Sequence, residues 1–99
     1  MNKLILQDLD KLKYLIEENR NGCVGSFNNL EIFYKEFVEL AEGNKAQENM
    51  SYWQVESLKI ILKELSEIIE LLKRNPFEDV SEQADSCSCK IEELKDTSR

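Results

Sequence analysis

Cys87-Ser88-Cys89 is the one stretch whose residue types and spacing suggest covalent or metal chemistry, since two close thiols can form a redox couple or bind a soft metal. On a helix, however, residues two apart point about 200° away from one another. Cys87 is then expected to face a core beside Ile91, as a small apolar side chain, and Cys89 to face water. Cys23 falls in a predicted turn and is read as incidental. The chain has no histidine. That removes the commonest general base, the usual Ser and Cys triads and the commonest zinc ligand. Gly22-Cys23-Val24-Gly25 lacks the Lys-Ser/Thr continuation of a phosphate-binding loop. The Glu-x-x-His motifs of a ferritin-like di-iron site cannot be built. No catalytic, cofactor-binding or metal-binding residue is therefore assigned, and an enzyme is not expected.

What remains is charge and apolar surface. The formal net charge of −7 disfavours nucleic acid and anionic membranes, whose phosphates are bound mainly by Lys and Arg. It favours a partner protein with a basic surface. Glu36, Glu39 and Glu42 form one acidic ridge, and Glu78, Glu82 and Asp85 another. Such ridges are either plain solvated faces or surfaces that meet a basic partner, such as a nuclease toxin or a nucleic-acid-binding protein. Trp53, Ile60 and Leu71 recur on one side of a predicted helix, about 160° from the centre of its main apolar stripe, with Ser57, Glu64 and Glu67 among them. An aromatic anchor with charged neighbours is the composition of an interface. The partner-binding candidates are Trp53, Ile60, Glu64, Glu67 and Leu71. The competing account has the second or fourth helix covering this side as internal packing.

The helix that carries them spans about 51–74. Val55, Leu58, Leu62, Leu65, Ile69 and Leu72 alternate at steps of three and four, and Ile61 and Ile68 widen the stripe toward two neighbours. Ser51 and Gln54 have capping-box spacing, Lys73 and Arg74 suit the negative end of the helix dipole, and Asn75-Pro76 stops the helix. A first helix over about 3–19 places Ile5, Leu9, Leu12 and Ile16 inward, flanked by Leu4 and Leu15. Asn19 to Ser26 reads as a connector, with Asn21-Gly22 and Gly25 as turn residues. A second helix over about 28–42 is capped by Asn28 with Glu31, ends at Gly43 as a left-handed cap, and packs through Leu30, Phe33, Phe37 and Leu40 beside Tyr34 and Ala41. Asn44 to Met50 reads as a loop. The fourth helix spans about 76–95, capped by Asn75 with Pro76 at its first position, and continues the stripe through Phe77, Val80, Ala84, Cys87, Ile91 and Leu94. Beyond about 95 the C-terminus is expected to fray.

These elements predict an all-α chain: a compact antiparallel four-helix bundle, with residues 1–99 as a single helical domain. The heptad-like spacing of two helices also allows a coiled-coil-like homodimer. Three cysteines, an odd number, fit the cytoplasm better than a disulfide framework. Asp8 and Asp10 interrupt the apolar start before it reaches signal-peptide length, and no stretch approaches the ~20 apolar residues of a membrane span. The length is similar to that of secreted helical-hairpin proteins, but Trp53-Gln54-Val55 lacks their Trp-x-Gly turn. The expected function is that of a small acidic protein-binding module that inhibits its partner, as a toxin-immunity protein or a phage-type inhibitor of a host enzyme does. The alternative is a self-associating structural or adaptor bundle.

Overall fold

Ser51 and Gln54 start the longest helix as their spacing predicts. The Gln54 N–H donates to Ser51 Oγ at 3.2 Å and the Ser51 N–H donates to Gln54 Oε1 at 2.9 Å, a complete capping box. The computed structural model describes residues 3–20, 24–43, 48 and 50–97. Among these residues there are four helices: α1 (Lys3–Asn19), α2 (Val24–Glu42), α3 (Tyr52–Arg74) and α4 (Ser81–Asp96). Helix α1 packs against α2 and α4, and α3 packs against the same two, so the helices occupy the corners of a square. The result is an all-α four-helix bundle measuring 38 × 22 × 18 Å.

One continuous core runs down the middle. Ile5, Leu9, Leu12 and Ile16 of α1 meet Leu30, Phe33, Phe37 and Ala41 of α2, with the Phe33 and Phe37 ring centroids 6.5 Å apart. Val80, just before helix α4, and Ala84, Cys87, Ile91 and Leu94 within it are all fully buried. On α3 the buried arc is Gln54, Leu58, Ile61, Leu65, Ile68, Ile69 and Leu72. Val55 and Leu62, which the spacing placed in the main stripe, are only half-buried. The difference is a rotation of α3 of about 40° at 100° per residue. Because α3 packs against both α2 and α4, its buried arc must point between them, and Ile61 and Ile68 become central. Leu4 is exposed rather than a flank of the α1 core.

Three boundaries differ from expectation. Helix α2 begins at Val24, so Gly25 lies within it and Asn28 is an interior residue, not a cap. The added turn sets Phe27 against the core, and that packing outweighs the weak helix propensity of Gly and Ser. Gly43 is outside the left-handed region, and its N–H donates to Leu40 O at 3.3 Å in a tightened last turn. Helix α4 begins at Ser81, five residues later than predicted. Asn75 Oδ1 accepts from the Phe77 N–H at 3.1 Å, and Asp79 Oδ1 accepts from the Ser81 N–H at 3.0 Å. These side chains offer the backbone turns in place of helix. Pro76 therefore sits in a turn, and Phe77 is 75% exposed instead of continuing the stripe. The predicted Asn21-Gly22 turn, the Cys23 turn, residues 44–47 and 49 of the predicted loop and residues 98–99 lie outside the described residues. Helix α4 itself runs one residue past the expected fray, to Asp96.

Charge fixes the register of the chain ends. Asp10 pairs with Lys95, Lys13 with Glu92 at 2.6 Å, and Arg20 with Asp85 at 2.9 Å. Steps of three and seven residues forward along the first segment match the same steps backward along α4. Such steps keep side chains on one helical face. The ladder thus holds α1 and α4 antiparallel in a single register. Across the bundle, Lys73 in the last turn of α3 pairs with Glu31 of α2 at 2.8 Å. Each pair is exposed enough that its separate contribution is small.

One rung of this ladder and two carboxyls outside it make stability sensitive to acid. The hydrogen bond and charge of Lys13 hold the Glu92 carboxyl below its ordinary value, Lys73 does the same for Glu31, and the Ser81 hydroxyl and N–H do so for Asp79. A depressed carboxyl stabilises the fold above its unfolded pKa and loses that contribution as pH falls through its folded pKa. Asp8 has the opposite sign, being raised chiefly by burial. With three groups against one, urea midpoints are expected to hold from pH 7 to about 5 and fall toward about pH 3. Glu92→Gln should shrink that acid loss. An identical loss in the variant would show that the ladder contributes nothing to it.

Candidate functional site

Trp53 and Ile60 are seven residues apart, so α3 presents them on one side, two turns from each other. Trp53 is 48% exposed and Ile60 47%. Both lie on the flank of α3 that borders α4, about 120° from the centre of the buried arc, and not on its opposite side. With Ser57 of α3 and Lys90 and Glu93 of α4 they line a shallow groove. Farther along α3, Glu64 and Glu67 line a second depression with Glu82, Gln83 and Ser86 of α4. A third is lined by Ser66, Glu67, Glu70, Leu71 and Arg74. The first two follow one another along the seam between the antiparallel α3 and α4, whereas the third is lined by α3 residues alone.

Of the five candidates from sequence, Trp53, Ile60, Glu64 and Glu67 line the seam and Leu71 only the depression formed by α3 itself, and they differ in state. Trp53, Ile60 and Glu67 are exposed. Leu71 is half-buried and packs against the core. Glu64 is half-buried and engaged: its Oε1 accepts from Lys90 Nζ at 2.5 Å and from Ser86 Oγ at 3.4 Å. That hydrogen bond holds the Lys90 ammonium above its ordinary value. The other oxygen, Oε2, is buried with no hydrogen-bond donor among the described residues. The fourth helix does cover part of the α3 flank, at Glu64, and leaves the tryptophan end open.

Lys90, Glu93 and Gln83 were not among the candidates, yet they form the other wall. Their spacing, with Ser86, also follows steps of three and four on α4. That signal marks a shared face but does not say which helix it adjoins. The acidic ridges are likewise partly engaged. Asp85 is bound to Arg20 and Glu78 accepts from Asn75 Nδ2 at 3.4 Å, whereas Glu36, Glu39, Glu42 and Glu82 are exposed.

The thiols point apart. Cys87 is fully buried, its Sγ donating to Ile61 O at 3.9 Å, and burial, reinforced by Glu64, pushes its pKa up to about 12. Cys89 is exposed. Native protein treated with a thiol reagent is therefore expected to be modified at Cys89 within minutes and at Cys87 only after unfolding, as read by peptide mass mapping. Equal labelling of the two would show that α4 is not packed as described.

Among the described residues no three His, Cys, Asp or Glu side chains converge as a metal site would, and no helix is long and apolar enough to cross a membrane. No protein-family model, curated protein or solved structure matches the chain.

Proposed function

We propose that this protein is a non-catalytic binding module that inhibits a protein partner through the Trp53–Ile60 end of the α3–α4 seam. The observation that carries this reading is the exposure of two large apolar side chains, about half open to solvent, on an ordered helix flanked by carboxylates. An exposed tryptophan with an aliphatic neighbour resembles the centre of an interface, where a few buried anchors supply most of the affinity. The net charge of −7 favours encounter with a partner carrying a basic surface. An immunity protein that neutralises a toxin, or an inhibitor of a host enzyme, fits this size and sign. The unpaired thiols of Cys87 and Cys89 suit a reducing cytoplasm.

A photoreactive side chain in place of Ser57, between the two anchors, tests the reading in the cells that make the protein. A control position at Ile32, exposed on α2, reports indiscriminate capture. An adduct with a second protein from position 57 and not from 32 is the expected result. An adduct of twice the chain's own mass would favour the self-associating bundle instead. Capture from both positions alike, or from neither, would overturn the interface.

A further inference from the structure

We propose that the α3–α4 seam docks a basic amphipathic helix of the partner protein, an inference that rests on the interface reading of Trp53 and Ile60. Its first support is shape. The seam is the valley between two antiparallel helices, and the two depressions lined by both helices run from Trp53 to Glu67 along α3. At 1.5 Å per residue that is a trough of about 21 Å, the length of a helix of about 14 residues. A third helix laid in such a valley brings its apolar stripe onto exposed anchors, as helix-in-groove recognition requires.

The second support is the order of chemistry along the trough. Trp53 and Ile60 stand at one end, two turns apart, so an occupant needs apolar residues at a spacing of seven to meet both. Toward the other end the walls become acidic: Glu64, Glu67 and Glu82 line one depression, with Glu93 on the α4 wall near Ile60. Lys90, the cation lining the depression beside Ile60, is paired with Glu64, so Glu67, Glu82 and Glu93 supply the negative character of the walls. An occupant therefore gains by carrying Lys or Arg beside its apolar stripe, and an acidic helix of equal hydrophobicity is repelled. The same argument disfavours a second copy of this chain. A two-fold contact would set the same carboxylates against one another.

The chain's single tryptophan lies in the trough, so its fluorescence reads occupancy directly. Four 18-residue helical peptides serve as probes: a Leu/Lys amphipathic sequence, a Leu/Glu counterpart, a Leu/Gln neutral form, and the Leu/Lys composition scrambled to destroy the apolar stripe. The Leu/Lys helix is expected to shift Trp53 emission saturably and to bind at least ~10-fold more tightly than the other three. Ile60→Glu should weaken it by ~10-fold or more, as should Glu67→Lys with Glu82→Lys at low salt. Ile32→Glu, on another helix, should leave it unchanged.

Each contrary result is decisive in its own way. Equal binding of the Leu/Gln or Leu/Glu helix would overturn the charge class while leaving the apolar docking surface in place. Equal binding of the scramble would reduce the effect to charge attraction alone and overturn the helix. Failure of every peptide alongside a specific crosslink at position 57 would show an interface that takes something other than a helix. Failure of both would remove the interface itself.

Discussion

Leu65→Ala is expected to cost about 2–5 kcal/mol, the range for removing most of a leucine from a packed core, whereas Leu62→Ala should cost about 1 kcal/mol. Leu65 is 0% exposed and sits at the middle of the α3 arc, where side chains from the other helices converge. Leu62, three residues away, lies at the α2-facing margin and is half-buried, so less of its surface is returned to water. In a chain of this size each kcal/mol moves the melting temperature by about 4–8 °C, so the two variants should melt at clearly different temperatures. Thermal and urea unfolding of both checks the ordering. Equal losses would mean that α3 is rotated the way a simple three-four reading of its sequence places it.

Trp53→Ala combined with Ile60→Glu should leave helical signal and melting temperature close to those of the parent and abolish association with the partner. Solvent-exposed substitutions usually change stability by about 0.5 kcal/mol or less. Interface anchors, by contrast, carry about 2 kcal/mol or more each, close to 30-fold in affinity. If the Trp53 side were internal packing, Ile60→Glu would bury an unpaired carboxylate and the protein would melt far lower. A melted variant therefore removes the interface, and a stable variant that associates as the parent does removes it equally. Charge reversal belongs at Glu67. It is exposed, so Glu67→Lys should mainly slow association and weaken its salt dependence. Reversal at Glu64 would break the Lys90 pair as well and confuse steering with packing.

Helix α3 shows how far local rules reach. Its start, its end and its capping box all follow from the order of Ser51, Gln54, Lys73, Arg74 and Asn75, because caps and dipoles act within one turn. Periodicity likewise identified Ile5, Leu9, Leu12, Ile16, Leu30, Phe37, Ala84 and Ile91 as core, since a three-four repeat of large apolar residues has to be covered whatever covers it. Where a local signal competed with packing, packing decided. Phe27 drew α2 back to Val24 through Gly25. The side chains of Asn75 and Asp79 turned the chain where Pro76 promised a helix start.

The candidate site divides along the same line. That Trp53, Ile60, Glu64, Glu67 and Leu71 share a side of α3 follows from sequence alone, because one helix has one period. Which neighbour borders that side does not. The rotation of α3 is set by contacts with α2 and α4 together, and a shift of about 40° converts an apparent back face into one wall of a seam. Only then do Lys90 and Glu93, 30 to 40 residues along the chain from Ile60 and Trp53, become the other wall. The ladder from Asp10–Lys95 to Arg20–Asp85 has the same origin. Its charges are visible in the sequence, but their pairing is a property of two helices laid antiparallel in one register.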